Sequence, residues 1–427
     1  MTSRPVDRGL AEAVLRDVIA ACDPASRVRA ALAEPATAAA LAGRRRLALA
    51  VGKAALAMAR GAGEVAEGVA VVPDGVSGEL PAGWRLMVAA HPVPDARSAA
   101  AGRALRALVG GARPGDAVLA LMSGGASALA ELPDGADGAA DGGLAALVAT
   151  VQQVMAAGAP IDEINAVRGA LSAIKAGRLA LASAAPVITL AVSDVIGDPL
   201  AVIGSGPTVG PWLACPGVAV DDGAAATWRR AREVLARLGI PAPAALAVAP
   251  AVRQVVRRDL AAVIAPMASA ARAAIAALAA RGVAAQLIEA PVSGDVEAVA
   301  DQLAAAAAGG GAALVAWGEP TVRIPARHGA GGRAQQLALS LAGRLRGTPR
   351  RALVVGTDGI DGPPPPDRPT PAGAWIDGAT WDAIAAAGVD PAAALAACDA
   401  GTALAAAGAL IVIGPSGINH ADLIVVG

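Results

Sequence analysis

Phenylalanine and tyrosine are absent from the 427-residue chain, and six tryptophans carry all of its aromatic volume. The interior must therefore pack through leucine, valine, isoleucine and alanine. Because 55% of the residues are hydrophobic and only 17% are charged, an intrinsically disordered chain is excluded. The 51 glycines follow no Gly-X-Y period, which excludes a collagen-like rod.

An excess of charge of either sign is also missing, since 35 basic residues face 36 acidic ones. Without a broad basic surface, neither nucleic acid nor an anionic membrane is an expected partner. The mean hydropathy of +0.55 is high enough to raise the question of a membrane-spanning segment. However, the longest uncharged stretch, residues 400–421, is broken by glycine, proline, asparagine and histidine, and it does not predict a transmembrane helix.

Cysteine is scarce, and Cys22, Cys215 and Cys398 lie far apart in the sequence. This odd, scattered set favours neither a disulfide framework nor a zinc ribbon. The first residues mix charged and apolar side chains and lack the apolar run of a secretion signal. We therefore expect a cytoplasmic protein. Its oligomeric state is left open, with a homodimer as one candidate.

Lysine is reduced to Lys53 and Lys175, and arginine fills the other 33 of the 35 basic positions. Asparagine is reduced to Asn165 and Asn419. Because arginine is used almost everywhere in place of lysine, each remaining lysine indicates a position where a compact ammonium is needed, for example at a tight phosphate site. The alternative for Lys53 is a solvated surface lysine.

Alanine-rich helical stretches alternate with short β-branched runs, a pattern typical of a parallel sheet flanked by helices. The predicted strands are residues 47–51, 69–72, 117–122, 187–192, 312–317, 352–355 and 423–426. The proline-rich stretch 211–250 marks the domain boundary. We predict a larger, Rossmann-like α/β domain over residues 1–240 and a smaller α/β domain over residues 241–427, with the substrate cleft between them.

A turn of small residues follows the predicted strand 117–122 and contains Ser123, Gly124, Gly125 and Ser127. Backbone N–H groups and hydroxyls in such a turn can bind a phosphate or a carboxylate. The alternative is a tight strand-to-helix turn that needs glycine only for its geometry. The turn is not a Walker A loop, and the chain has no G-x-G-x-x-G motif.

A second group of polar residues lies in a predicted helix over residues 166–182 and at Asn165, the residue just before it. With helical spacing, Asn165, Arg168, Ser172 and Lys175 would share one face. That face would carry two cations, an amide and a hydroxyl, which favours a ligand site. The alternative is the solvated polar stripe of an amphipathic helix.

Carboxylates follow several other predicted strands. Asp194 is the second residue after strand 187–192, where a carboxylate suits Mg²⁺ binding or the orientation of a substrate hydroxyl. It could equally cap a turn. Further glycine-rich turns contain Glu319, Arg333, Asp358 and Asn419, and each turn is a weak signal when taken singly.

Taken in order, these segments resemble the glycerate 2-kinases that carry a C-terminal MOFRL domain. The matching segments are residues 51–55, 91–95, 123–129, 172–179, 193–195 with 205–208, 319–322, 331–336, 356–362 with 372–374, and 414–422. The resemblance implies a MOFRL-type second domain. It also implies transfer of the γ-phosphoryl group of ATP, with Mg²⁺, to the 2-hydroxyl of D-glycerate.

The resemblance and the charge requirements of phosphoryl transfer together assign roles to residues. Lys53 and Arg333 are the predicted cations at the transferring phosphoryl group, and Asp194 is the predicted metal-positioning or hydroxyl-orienting residue. Substrate or phosphate binding is assigned to Ser123, Gly124, Gly125, Ser127 and Lys175, with Glu319, Asp358 and Asn419 as second choices.

Two other functions are kept as alternatives. A nicotinamide-dependent hydroxypyruvate reductase is one, although the missing G-x-G-x-x-G motif argues against it. A glycerate-binding protein with weakened catalysis is the other, because Ala126 and Ala176 replace glycines of the family pattern and Gly169 and Ala170 replace a basic residue and a histidine.

Overall fold

The computed structural model describes residues 6–134, 142–365 and 367–427. The chain forms two compact units. One, here called the insert unit, is Pro24–Pro266, and the other, here called the terminal unit, combines the stretch that ends at Asp23 with Met267–Gly427.

Helix α1 (Arg8–Ala21) belongs to the terminal unit. The insert unit then contains, in chain order, α2 (Pro24–Ala33), α3 (Pro35–Leu41), β1 (Arg45–Val51), α4 (Ala55–Ala62), β2 (Glu67–Pro73), β3 (Trp84–Ala89), α5 (Ala96–Gly110), β4 (Asp116–Met122), α6 (Ala126–Leu129), α7 (Gly142–Ala156), α8 (Ile161–Leu171), α9 (Arg178–Leu181), β5 (Val187–Val192), β6 (Val220–Asp221), α10 (Ala224–Arg237), β7 (Gln254–Val255) and β8 (Leu260–Ala265).

The main sheet of the insert unit has the strand order β3-β2-β1-β4-β5-β8, and every neighbouring pair is parallel. Alternate residues of β1 face opposite sides: Leu47 and Leu49 pack in one buried cluster, whereas Ala48 and Ala50 pack in another. Both faces are therefore covered, as a parallel sheet requires. The carboxyl ends of β1, β4 and β5 lie side by side, so residues that follow these strands meet at one edge.

The rest of the terminal unit contains α11 (Ser269–Ala279), β9 (Ala285–Leu287), β10 (Val292–Asp295), α12 (Val296–Ala308), β11 (Ala313–Thr321), α13 (Arg333–Arg344), β12 (Arg351–Gly356), β13 (Gly373–Asp377), α14 (Thr380–Ala386), α15 (Pro391–Ala396), α16 (Ala400–Ala406), β14 (Leu410–Ile411) and β15 (Asp422–Val426). The strand order is β10-β11-β15-β12-β13-β14, and β9 also pairs with β11. β15 runs antiparallel to both of its neighbours. One face of this sheet packs with α1 and α11, and the other packs with α12 and α13.

The prediction of two α/β parts, the first with a parallel sheet, is confirmed. The compact units divide at 23/24 and 266/267, however, and not at 240/241. Strand β8 was not predicted, and because it pairs with β5 it keeps the chain in the insert unit up to residue 266. Within residues 6–134, 142–365 and 367–427, no helix combines the length and apolarity needed to cross a membrane.

Candidate active site

Two predicted site segments of the insert unit are joined by hydrogen bonds. The Lys53 N–H, just after β1, donates to the Gly124 carbonyl at 2.9 Å, and the Ser123 N–H donates to the Val51 carbonyl at 3.0 Å. The Ser123 hydroxyl oxygen accepts the Ala54 N–H at 3.1 Å, and Ser123 is only 1% exposed. The Ser123 side chain is thus committed to holding the Lys53 turn in place.

Gly52 makes this contact sterically possible. Its φ is +131°, and a Cβ at this position would lie 2.1 Å from Ser123 Oγ and 2.6 Å from the Ser123 carbonyl oxygen. No side chain fits there, and only glycine adopts this backbone conformation readily. The two turns therefore lie in direct contact, and the exposed Lys53 side chain begins from a fixed backbone.

Asp194, after β5, lies against the same loop. A Cβ on Gly124 would be 2.0 Å from Asp194 Oδ2, so the absence of a side chain at Gly124 makes room for the carboxylate. A Cβ on Gly125 would lie 3.0 Å from the His91 ring and 3.6 Å from Lys53 Cγ. Lys53, the glycine loop and Asp194 thus come together at the carboxyl edge of the sheet.

His91 is a member of this cluster that the sequence analysis did not assign to the site. Partial burial lowers the pKa of His91 below 6.5, and the Lys53 ammonium lowers it further, whereas Asp194 opposes the shift. Burial and Lys53 both favour the neutral imidazole. Two features of the sequence could have identified His91: it lies in the segment 91–95, which follows β3, and the chain has only three histidines.

The predicted helix over residues 166–182 is wrong in its second half. Helix α8 ends at Leu171, Ser172 is extended with φ −110° and ψ 137°, and a new helix begins only at Arg178. Ser172 forms a β-bridge with Pro133, and its buried hydroxyl donates to Glu131. These contacts with distant residues end the helix, so Ser172 and Lys175 do not share a helical face with Arg168.

Lys175 is fully buried. Its ammonium donates to the Ala130 carbonyl at 2.7 Å, and burial lowers its pKa to about 8, although Glu131 opposes this shift. A direct contact between Lys175 and a ligand would require the residues that cover it to move.

A pocket of about 320 Å³ adjoins this cluster within the insert unit. Its polar lining residues include His91, Ser127, Glu131 and Arg168. Its aliphatic wall consists of Val93, Leu147, Val148, Val151 and Met155. Sites for small molecules commonly combine such an apolar wall with a few polar groups.

In the terminal unit, Arg333 is the first residue of α13 and forms two ion pairs. Its Nε donates to Asp422 Oδ2 and its Nη2 donates to Glu319 Oε1, both at 2.8 Å. Glu319 is exposed, whereas Asp422 is 1% exposed. Burial raises the pKa of Asp422 to about 7, and the Arg333 guanidinium opposes this shift.

The first turn of α13 is held by a second buried carboxylate. Asp361 Oδ1 accepts the Ala334 N–H at 3.0 Å, and Asp361 Oδ2 accepts the Gln335 N–H at 2.8 Å. These two N–H groups have no partner within the helix, so Asp361 satisfies them as a cap supplied from another loop. This contact fixes the helix end that carries Arg333.

Arg333 faces a cavity of about 560 Å³ in the terminal unit. Asp358, Asn419 and Asp422 also line it, and Glu319 reaches it through its ion pair with Arg333. The second-choice residues of the sequence analysis are thus grouped around Arg333. Asp422 and Asp361 were not assigned to the site, and Asp422 is recognisable only as the last residue of segment 414–422.

Two family models match this chain. The model described as a domain of unknown function, DUF4147, matches residues 10–257, and the MOFRL family model matches residues 312–422. The first match alone spans more than half of the chain. The resemblance to a MOFRL-containing family is therefore confirmed.

Similarity to individual proteins extends over most of the chain. The D-glycerate 2-kinase of Thermotoga maritima is 33% identical over 401 residues, which cover 89% of this chain and 90% of that protein. A protein of Agrobacterium vitis, provisionally named a hydroxypyruvate reductase, is 36% identical over 81% of this chain and 77% of its own length.

A solved structure shares the fold. The crystal structure of glycerate kinase from Thermotoga maritima has a TM-score of 0.85 and 31% identity, with 98% of both chains covered. The sequence matches and the structural match agree over nearly the whole length. The chain belongs to the family that combines a DUF4147 domain with a MOFRL domain, and it is similar in sequence and fold to the glycerate kinase of Thermotoga maritima.

Proposed function

We propose that this chain is a glycerate 2-kinase that transfers the γ-phosphoryl group of ATP to the 2-hydroxyl of D-glycerate, giving 2-phosphoglycerate. The observation that carries the proposal is the near-full-length similarity to the D-glycerate 2-kinase of Thermotoga maritima. The grouping of Lys53, the glycine loop and Asp194 at one sheet edge supplies groups that phosphoryl transfer requires.

Lys53 is the proposed cation for the transferring phosphoryl group. Charge accumulates on the equatorial oxygens of that group, and a fixed ammonium stabilises it without reorganisation. The exposed Lys53 side chain begins from the turn that Gly52 and Ser123 hold in place. Little free energy is therefore needed to order the Lys53 backbone when a phosphate binds. Gly124, Gly125 and Ser127 provide the adjoining loop for a phosphate or the acceptor.

Asp194 is the proposed residue for Mg²⁺ or for orienting the acceptor hydroxyl. Within the described parts of the chain, no group of three or more His, Cys, Asp or Glu side chains is arranged to hold a metal. A single carboxylate still fits, because Mg²⁺ usually binds through one or two carboxylates, waters and substrate phosphates. Mg²⁺ at Asp194 would neutralise phosphate charge.

Arg333 is the second proposed cation for the phosphoryl group. Asp422 fixes the guanidinium from the buried side, and the exposed Glu319 is the partner that a phosphate would replace. Asp358 and Asn419 remain second choices for ligand contacts in this cavity. Lys175 is proposed to act indirectly, by balancing the buried charge of Glu131.

A coupled assay tests the proposed function. ATP consumption that depends on D-glycerate, together with 2-phosphoglycerate identified by ³¹P NMR, would support it. A Lys53→Met variant serves as the matched inactive control. Oxidation of NAD(P)H with hydroxypyruvate would instead support a reductase, and glycerate binding without turnover would support a non-catalytic binding protein.

The cytoplasmic location and the homodimer stay proposals that rest on the sequence. Size-exclusion chromatography with light scattering would determine the assembly.

A further inference from the structure

One carboxylate and two cations lie at or beside the 320 Å³ pocket: Glu131 and the half-buried Arg168 line it, and Lys175 is near Glu131. Glu131 is 1% exposed, and its Oε1 accepts the Leu132 N–H at 2.9 Å and the Ser172 hydroxyl. Lys175, with no exposed surface, lies close enough for its charge to be stabilised by Glu131. These two opposite charges balance each other, which leaves Arg168 as an additional cation.

Arg168 has little to compensate its charge. Its Nη2 contacts Met155 Sδ at 3.9 Å, and a thioether sulfur is a weak acceptor. Within the described residues, no carboxylate oxygen lies within 4.0 Å of its guanidinium nitrogens, whereas Arg333 has two such partners. Burial lowers the pKa of Arg168, so its charge is penalised, and the nearby Glu131 only partly offsets the penalty. An anion bound in the pocket would compensate the positive charge of Arg168.

The pocket favours an anion with a single charge. Its aliphatic wall lowers the local polarity, and an ion pair beside such a wall is stronger than one in bulk water. One guanidinium can bind one carboxylate through two parallel hydrogen bonds. The phosphates of a nucleotide carry several charges, and the buried Glu131 carboxylate in the same wall would repel them more strongly than it repels one carboxylate.

The position of the pocket points to the acceptor. His91 and Ser127 line it; His91 also lies beside Gly125, and Ser127 is two residues after Gly125 in the same loop. A molecule whose carboxylate binds Arg168 in this pocket would therefore have the reacting cluster beside it.

We propose that Arg168 binds the carboxylate of the acceptor, a small 2-hydroxy acid, inside this pocket and thereby selects acids over neutral polyols. This inference rests on the proposed function, which names the acid as D-glycerate. It assigns Arg168 as a residue that determines specificity.

Steady-state kinetics of Arg168→Gln and Arg168→Lys in the full chain test the proposal. The glutamine variant is expected to lose at least tenfold in kcat/KM for D-glycerate at saturating ATP, while the KM for ATP stays within about twofold, because glutamine cannot form the charged hydrogen bonds to the carboxylate. The lysine variant is expected to recover only part of the loss, because an ammonium lacks the planar fork. Arg103→Gln, an exposed position on α5, is the matched control.

A neutral acceptor separates binding from a structural role. Glycerol has no carboxylate, so Arg168→Gln should reduce the preference for D-glycerate over glycerol at least tenfold. An increase in the KM for ATP alone would overturn the proposal, and so would an equal loss with both acceptors. If the variants do not fold, a wild-type chain that accepts glycerol as well as D-glycerate would refute it.

If the proposed function itself is wrong, the experiments give a different result. In that case the wild-type chain consumes no ATP in response to D-glycerate, and calorimetry then decides the role of Arg168. Binding of D-glycerate but not glycerol to the wild-type chain, lost in Arg168→Gln, would support it. Unchanged binding by the variant would refute it.

Discussion

Replacing Gly52 by alanine should damage both stability and catalysis, because two independent penalties act on one turn. The φ of +131° is a region that residues with a Cβ adopt only at a cost of about 1–3 kcal/mol. The new Cβ would also lie 2.1 Å from Ser123 Oγ and 2.6 Å from the Ser123 carbonyl oxygen, so the two turns must separate. We expect a total loss of about 2–4 kcal/mol.

For a unit the size of Pro24–Pro266, each kcal/mol lowers the midpoint of thermal unfolding by about 2–4 °C. Gly52→Ala should therefore melt about 4–16 °C below the wild type. Separation of the turns also moves Lys53, whose N–H donates to Gly124, and a displacement of about 1 Å can reduce the rate about 100-fold. Differential scanning fluorimetry and the glycerate-dependent ATPase assay measure the two effects.

Gly115→Ala is the matched control, because it makes the same substitution in the same unit where a Cβ would meet no heavy atom within 4 Å. The reasoning is refuted if Gly52→Ala melts at the temperature of Gly115→Ala and keeps its kcat/KM. A lower melting temperature with unchanged kcat/KM would retain the steric argument and reject the role of this turn in placing Lys53.

Three further predictions concern side chains at the two sites. Lys53→Arg and Arg333→Lys should each lower kcat/KM for D-glycerate at least tenfold, about 1.4 kcal/mol, because each keeps the charge and changes its shape. Since Lys53 lowers and Asp194 raises the pKa of His91, Lys53→Met should raise that pKa and Asp194→Asn should lower it in an NMR titration. Asp361→Ala should lower the free energy of unfolding by about 1–2 kcal/mol in a denaturant titration, because two helical N–H groups lose their cap.

Each of these predictions has a contrary outcome. Near wild-type kcat/KM in both Lys53→Arg and Arg333→Lys would remove these residues from the transition state. Shifts of the His91 pKa in the same direction in both variants would contradict the charge arrangement around the ring. An unchanged unfolding curve for Asp361→Ala would mean that water replaces the cap without cost.

Strand bounds and the placement of site residues could be predicted from the sequence where the local residue pattern and the direction of the strands determine them. The predicted bounds of β5, residues 187–192, agree with the structure, and a parallel sheet brings residues that follow neighbouring strands to one edge. The sequence alone therefore places Lys53, the 123–127 turn and Asp194 at one edge of the sheet. The scarcity of lysine added to this argument, and Lys53 does lie beside the glycine loop.

Other features depend on contacts between distant parts of the chain. No proline marks the end of α8, and the break at Ser172 arises from its bond to Glu131, 41 residues earlier. The grouping of Glu131, Lys175 and Arg168 could not be recognised from spacing for the same reason. The edge strands β3 and β8 were missed because their residues are only partly buried, and such strands carry a weak hydrophobic pattern.

The packing of α1 against α11 also has a consequence for the order in which the protein is made. Ala21 ends α1, and Ser269 begins α11, so the ribosome must add about 250 residues before the partner helix exists. The whole insert unit is synthesised in that interval as one continuous stretch and can fold first. During this time the apolar face of α1, with Leu10, Val14 and Val18, has no α11 to cover it. The nascent chain therefore presents an exposed hydrophobic helix to chaperones at least until Ala279, the last residue of α11, has been added.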